Sequence, residues 1–556
     1  MDEVSEARVR EWEEQYKCAT DAQPERRKDF KNSSGIPLKP VYTPADVRSG
    51  YEEGRGFPGE YPYTRGIYQT MYRGRPWSRR MLIGLEVPET WNQRQKRMFE
   101  AGQTATNIVF CNVTYRGLDV DEVEKELVGT CGTPLSSTRD VAICFDGMPL
   151  DQLSTALNDS PPFTIVAMYA TVAKRQGIAI DRLRGTTNQS DFISHYISCH
   201  MHHRFPLDAY PRLLVDHVKY CIAHMPQWNP LSIIGQHMQQ SGATPAQELA
   251  FTLASGLYYV DLCVKAGLPV DTFAPRFTFF FDVTLSIFEE VAKFRAARRI
   301  WAKALKERFG AQDPRSWRLK FHAQTSGREL TREQALNNVS RVTLQALAAV
   351  LGGCQSLHTD SYDELFGTPG ADSARVAVMT QNIIAEESGA ADVIDPLGGS
   401  YYVESLTDEM ERRVGEYLEK IEAMGGMLEA TRRGYPQAEI AKSSLSYQRS
   451  IDRGERVVIG LNSYQIPEDL EDMVSLPAPD IALVERQLAR TEAVRRERDA
   501  ARAQAAMDML RRAIDDPRAN TFEAVLSAVE AELTHGEIVR VFREQLGAGR
   551  PLIGVA

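Results

Sequence analysis

The fold class this sequence predicts is a (β/α)8 barrel flanked by an N-terminal arm and a helical C-terminal region. Three observations predict it. Eight short β-rich runs alternate with longer amphipathic helical stretches between about residues 101 and 399. Polar and titratable residues gather where those runs end, the face on which barrel enzymes place their sites. Past Tyr401 the pattern turns almost wholly helical. A doubly wound open sheet satisfies the same periodicity, because alternation alone does not show closure.

Residues 1–55 carry a helical patch from Ala7 to Tyr16 and then a polar, Pro-containing connector. They read as an arm lying over the main body or a partner subunit. Residues 56–400 form the body and open with a threading segment over 61–84. The expected strands are Asn107–Val113, Pro134–Ser137, Leu153–Asn158, Leu183–Asn188, Leu231–Gln236, Arg276–Phe281, Leu319–Gln324 and Gln355–Thr359. Ile287, Phe288, Val291, Phe294, Ile300, Trp301 and Leu305 recur at helical spacing, with Gly310 as a stop. In the helical region 401–556, Ile481, Val484, Leu488 and Val494 make an apolar stripe, read as a packing face or else a partner-binding helix.

With 556 residues the chain can bury a large core. A net charge of -10 and a pI near 5.7 exclude a basic nucleic-acid-binding domain. Eight cysteines at irregular intervals, none in a CxxC pair, read as reduced thiols. The acidic start lacks an apolar signal core, and even Phe277 to Val283 is interrupted by Asp282, so no membrane span is expected. A cytoplasmic protein is the expectation.

The threading segment, Tyr61-Pro62-Tyr63-Thr64-Arg65-Gly66 through Tyr68-Gln69-Thr70-Met71-Tyr72 to Arg75-Pro76-Trp77-Ser78-Arg79-Arg80, interleaves arginine and tyrosine with proline and glycine. Arginine offers forked donors that suit phosphate, and tyrosine a flat face with a polar tip. Such a stretch suits a long ligand with a phosphorylated end and a narrow thioester arm. A loop that binds nothing has the same composition. Further on, Ser232-Ile233-Ile234-Gly235-Gln236-His237, Arg276-Phe277-Thr278, His322-Ala323-Gln324-Thr325-Ser326 and Ser356-Leu357-His358-Thr359-Asp360 are expected at strand ends. One histidine there is an ordinary structural residue; three at converging positions suggest a site. His200-Met201-His202-His203 is too compact to chelate from one element, and no metal site is expected.

These motifs resemble the adenosylcobalamin-dependent acyl-CoA mutases, the methylmalonyl-CoA mutase family and its isobutyryl- and 2-hydroxyisobutyryl-CoA mutase relatives. The similarity rests on the threading segment, on Gly235-Gln236-His237-Met238, and on Phe273-Ala274-Pro275-Arg276. It extends to His322 with Gln324-Thr325, Gln355-Ser356-Leu357-His358-Thr359, and Asp395-Pro396-Leu397-Gly398-Gly399-Ser400-Tyr401-Tyr402. The resemblance implies a barrel threaded by coenzyme A. Tyr68, Thr70, Met71, Arg75, Ser78, Arg80, Arg276 and Thr278 would line its path, joined by Gln189, Gln236, His322 and Ser356. His237 would hydrogen-bond the thioester carbonyl, and Gln324 and Glu364 would hold the deoxyadenosyl group. Val109 and Cys131 would face the corrin.

This sequence departs from the family at informative places. The two positions that recognise an acidic acyl group carry Leu82 and Cys199, and the aspartate after the first strand's phenylalanine is Cys111. Gly185-Thr186-Thr187-Asn188-Gln189-Ser190-Asp191 carries one residue more than usual. The family's Asp-x-His-x-x-Gly cobalt loop is not found, and His535 lies outside any such pattern. The resemblance therefore implies the large subunit of a split isomerase. Cobalt would be ligated by a separate cobalamin-binding small subunit, in a heterotetramer served by a GTPase chaperone of the mutase family. The rival expectation is a non-catalytic acyl-CoA-binding barrel or a stabilising subunit.

Overall fold

The structure is a computed structural model that describes residues 6–22, 30–47, 55–199, 203–466 and 479–552. Nine short strands form its centre: β1 (Ser78–Arg79), β2 (Thr106–Ile108), β3 (Ser154–Asn158), β4 (Arg184–Asn188), β5 (Trp228–Asn229), β6 (Leu231–Ile234), β7 (Phe277–Val283), β8 (Phe321–Thr325) and β9 (Ser356–His358). Every pairing is parallel, in the orders β2-β3-β4-β5 and β1-β9-β8-β7-β6. β5 and β6 are one run interrupted at Pro230, which has no N–H for the ladder. Beyond β1, Arg80 bridges to Ala105 and Ile83 to Ile108, again in parallel. The succession of neighbours thus returns to its starting strand, as in a (β/α)8 barrel.

Sequence and structure part company at one barrel strand. Residues 134–137 do not form one; only Thr133 pairs there, with Phe110. Pro134 cannot donate, and Ser137 is committed to a reciprocal cap with Asp140 at the start of the helix Thr138–Cys144. The missing strand comes from the end of the threading segment, whose Pro, Gly and Arg content masks its β character.

The core lies between the strands and the surrounding helices. Phe279 and Phe281 face outward, packing on Trp301 and Phe294 of the helix Ile287–Lys303 with ring centroids 4.9 and 5.8 Å apart. The helix Tyr401–Ala423 lies against it, tied by Arg295 to Glu404 at 2.7 Å and by Arg299 to Asp408 at 2.7 Å. In the arm, the helix Glu6–Ala22 is followed by residues 30–47, where the Ser33 and Ser34 N–H groups both donate to Glu289 at 3.0 Å. In the helix Ile481–Glu497, Val484 and Val494 are buried, Val484 against Val87, Val120 and Val128. Most of the apolar stripe is therefore covered by this chain itself. Among the described residues no single helix is long and apolar enough to cross a membrane.

Candidate functional site along the barrel axis

An ordinary barrel fills its interior with branched aliphatic side chains. This one does not. Along β8 the residues facing the helices, Phe321, Ala323 and Thr325, are buried, whereas His322 and Gln324 on the axis keep partial exposure. Strand register carries the same face through neighbours: Thr278 lies beside Ser232, and Ser356 beside both Ser78 and His322. The same face also carries buried Ile234 and Phe280, the latter with its ring 4.7 Å from His322. The axis is therefore lined by polar groups around an apolar patch, with Thr278, His322, Gln324 and Ser356 partly exposed.

Its amino-terminal half holds one linked set. Arg80, 8 % exposed, donates to the Thr106 carbonyl, to Ser154 Oγ at 2.9 Å and to Ser356 Oγ at 3.4 Å. Burial pushes its guanidinium down to about 10. Ser356 Oγ also meets His322 Nδ1 at 2.9 Å. Ser356 Oγ can accept from Arg80 and still either donate to Nδ1 or accept from it. Burial, then Arg80 and His358, hold His322 well below the usual imidazole range, so it is neutral. Nε2 finds no partner among the described residues.

Below this layer lies a basic mouth of Arg276, Arg318 and Lys320. On the helix side of the sheet Arg276, in the turn Ala274–Arg276 that leads into β7, also lines a cavity of about 180 Å³ with Arg315, Asp271 and Trp228. The sequence places Arg276 with the strand ends, but it precedes its strand and so lies at the opposite, amino end. Lys320 donates to the Pro275 carbonyl, and its ammonium is pushed down to about 8 by burial and then by Arg276 and Arg318. Arg318 stacks 5.7 Å from the ring centre of exposed Tyr68, and Arg75 also acts on that phenol.

The carboxyl-terminal half holds the second set. His237 follows β6 in the short helix Gln236–Gln240; burial pushes its imidazole down to about 4, and Nδ1 has no partner among the described residues. Its ring lies 5.6 Å from that of His195, which Gln189 holds at 3.1 Å. Gln189 has left-handed backbone, φ 63°, where the chain turns out of β4. Across the axis, Asp360 Oδ1 accepts from Gln324 Nε2 at 3.2 Å and lies 3.1 Å from His358 Nε2. His358 Nδ1 accepts from the Leu82 N–H at 3.1 Å, which fixes the tautomer that donates to Asp360. Asp360 Oδ2 is buried without a partner among the described residues. Glu364 is pushed up to about 8 by burial, then by Asp360 and Asp363, and is largely a neutral acid near pH 7.

The structure thus links Leu82, Gln324 and Glu364 through His358 and Asp360, links Arg80, His322 and Ser356 directly, and sets Gln189 near His237. His322 stands apart from the strand-end set, inside β8 in the lower layer. Thr278 Oγ1 is engaged by the Leu231 carbonyl at 3.1 Å. Met71 is buried with Tyr63, Ile67 and Ala302, a packing position, and Thr70 precedes its short helix at the surface without a side-chain cap bond. Ser78 opens β1 and Gln236 opens the helix bearing His237. Val109, Cys131 and Cys199 are at the carboxyl face, where both Cys131 and Cys199 act electrostatically on the buried Tyr115 phenol. Of the histidine cluster, residues 200–202 lie outside the described residues. His203 stacks on Tyr196 at 4.3 Å, and no group of ligands able to hold a metal occurs among the described residues. His535 is buried, with Nε2 2.8 Å from the Thr114 carbonyl. Asp360, His195, Arg318 and Lys320 were missed as site residues; period-two reading of β8 back to Lys320 finds the last.

The family model described as methylmalonyl-CoA mutase matches residues 31–548. The chain belongs to the methylmalonyl-CoA mutase family. It is 40 % identical over 530 residues to the 2-hydroxyisobutanoyl-CoA mutase large subunit of Aquincola tertiaricarbonis, spanning 95 % of this chain and 94 % of that one. It is 38 % identical over 510 residues to the methylmalonyl-CoA mutase of Escherichia coli, spanning 91 % of this chain and 71 % of the relative. The match to the methylmalonyl-CoA mutase of Cereibacter sphaeroides is 39 % over 519 residues, spanning 93 % and 72 %. The family is one of adenosylcobalamin-dependent acyl-CoA isomerases.

Proposed function

We propose that the chain is the substrate-binding large subunit of an adenosylcobalamin-dependent mutase that rearranges a short, branched, uncharged acyl-CoA. The observation that carries this reading is the partly exposed, polar-lined axis, basic at one end and closed at the other by a neutral imidazole and a neutral carboxylic acid. The relative that shares nearly the full span is named a large subunit. That supports a separate small subunit bringing cobalamin and its cobalt ligand, in the heterotetramer expected above and with a GTPase chaperone as accessory.

Phosphates are read by Arg75, Arg276, Arg318 and Lys320, and the pantetheine arm by Ser78, Arg80, Thr278, His322 and Ser356. The residues at the carboxyl face fit a deoxyadenosyl group: Gln324 and Glu364 offer an amide and a neutral acid to ribose hydroxyls, beside the orphaned Asp360 Oδ2. Adenosylcobalamin, when bound, supplies the carbon radical that starts the rearrangement. His237 donates to the thioester oxygen. Being neutral, it polarises that carbonyl without placing a full charge in a desolvated site.

The acyl class follows from what is absent. A buried carboxylate needs a paired cation or several donors. Leu82 donates nothing from its side chain, and Cys199 is a weak donor. Arg80 is engaged in the lower layer by Thr106, Ser154 and Ser356. Val109 offers no acid to a hydroxyacyl group. Isobutyryl, isovaleryl and pivalyl esters fit; methylmalonyl and succinyl esters do not. The test is competition of isovaleryl-, butyryl- and methylmalonyl-CoA in the complex reconstituted with a small subunit and adenosylcobalamin, with isomers resolved by chromatography and mass. Preference for methylmalonyl-CoA would overturn the pocket argument, and product from the chain without a small subunit would overturn the split assembly.

A further inference from the structure

On the mutase reading above, we propose that His195 is a positioning residue: it holds the Gln189 amide so that its nitrogen is presented to the thioester oxygen beside His237. One carboxylate fixes the frame. Asp191 Oδ1 accepts from the Ile193 and Ser194 N–H groups at 3.1 and 3.2 Å, capping the helix Phe192–Ser198 that carries His195. Its Oδ2 accepts from the Ile234 N–H at 2.9 Å, at the end of β6 and just before His237. Tyr259 donates to the same carboxylate. Ser190 Oγ adds a second tie, accepting from the Ser232 N–H at 3.0 Å and donating to the Thr187 carbonyl at 2.7 Å. The two imidazoles therefore hang from elements fixed against each other, with ring centroids 5.6 Å apart and planes inclined by 39°.

Gln189 sits inside this frame, in a left-handed backbone conformation at φ 63° that strains a residue with a Cβ. Both Gln189 and His195 are buried. Gln189 Oε1 lies 3.1 Å from His195 Nε2. An amide oxygen only accepts, so Nε2 carries the proton and His195 is the donor. That bond decides which way round the amide sits. The oxygen is committed to His195, and no hydrogen bond among the described residues engages the nitrogen. His195 is itself pinned, its carbonyl lying 3.0 Å from His203 Nε2.

The orientation matters to the reaction. As charge moves onto the thioester oxygen, two donors stabilise it better than His237 alone. With the amide reversed, its oxygen would oppose the thioester oxygen, and Gln189 would weaken what His237 does.

The experiment measures calorimetric binding of three probes to the full chain: coenzyme A, isobutyryl-CoA and S-isobutyl-CoA, a thioether lacking only the carbonyl oxygen. Two neutral hydrogen bonds to that oxygen should make the ester bind about tenfold tighter than the thioether. His195→Phe should reduce this preference to about threefold or less, with coenzyme A affinity and melting temperature little changed. His195→Gln, which returns an N–H near the position of Nε2, should restore it. Equal binding of ester and thioether by the wild-type chain overturns the proposal, as does a preference that survives in a folded His195→Phe chain. A structure with bound isobutyryl-CoA in which the Gln189 nitrogen lies out of hydrogen-bond reach of the thioester oxygen overturns it whatever the variants do. Failure of the wild-type chain to bind coenzyme A at all would instead strike the mutase reading itself.

Discussion

Two regions of this molecule bury the same kinds of side chain to opposite ends. Behind β7, Lys293 is held by Glu248 and Glu290 and donates to the Asp282 carbonyl, while Arg295 is held by Asp395 and Glu404. There each cation is matched to carboxylates within the fold. Along the axis, His237, His322 and Asp360 each keep a buried polar atom without a partner among the described residues. Burial without pairing costs free energy in the unliganded protein. The wall pairs opposite charges directly, although Arg295 Nε there also keeps no partner among the described residues; in the proposed function the unpartnered axis atoms are the ones a ligand would meet.

Breaking the wall should have the largest effect. Lys293→Met leaves Glu248 and Glu290 facing each other without a cation, and breaking such a buried pair costs about 3–5 kcal/mol. Urea unfolding should show that loss directly, with activity failing only through lost fold.

Along the axis the effect should fall on catalysis. His237→Ala is expected to lower kcat about a hundredfold, roughly 3 kcal/mol as for one oxyanion donor, with acyl-CoA affinity and unfolding midpoint nearly unchanged. An unchanged kcat removes His237 from the proposed reaction.

At the basic mouth, phosphate should raise Lys320 from its depressed value near 8. Coenzyme A binding at pH 8 should therefore take up about half a proton, seen as a buffer-dependent enthalpy in calorimetry. Lys320→Met should abolish that dependence; equal uptake in the variant would assign the proton elsewhere.

Glu364→Gln should act on stability only through pH, and its sign is fixed. The folded pKa near 8 lies above the ordinary carboxylate value of 4.5, so the folded state binds more protons between them. The contribution of Glu364 to stability is complete below about pH 4.5 and is lost as pH rises through 8. The Gln variant should lack this decline, a difference readable as melting temperature against pH. A parallel decline in both proteins would place the titration on another group.

Much of this was legible beforehand. Six strands from Ser154 onward fall where their β-branched and aromatic runs predict, because each is bounded by clear turn or helix signals. β1 was hidden, since Ser78 and Arg79 follow a Pro-Trp pair and acquire strand geometry only by pairing with Ser356 and Leu357, far along the chain. His237 and Gln324 enter the candidate site through motif resemblance. Asp360 was passed over as a site residue because its importance lies in joining Gln324 to His358, a contact between strands. Arg276 was assigned to the wrong end of its strand, because the boundary at Phe277 is invisible in a run of aromatic residues.

The exposure pattern of β8 has an evolutionary corollary. Where a barrel's centre is its packing core, each interior substitution strains the architecture. Here cohesion resides in the shell, with Phe279, Phe281 and Phe321 turned outward against Phe294 and Trp301. Apart from Arg80, which ties Thr106, Ser154 and Ser356 together, the lining carries less of the load of holding the barrel together. Residues such as Leu82 and Val109 can drift in size and polarity while the scaffold stands. Relatives in this family are named for 2-hydroxyisobutanoyl- and methylmalonyl-CoA, and exchanging Leu82 and Val109 for their residues should alter the ester accepted before it alters the melting temperature.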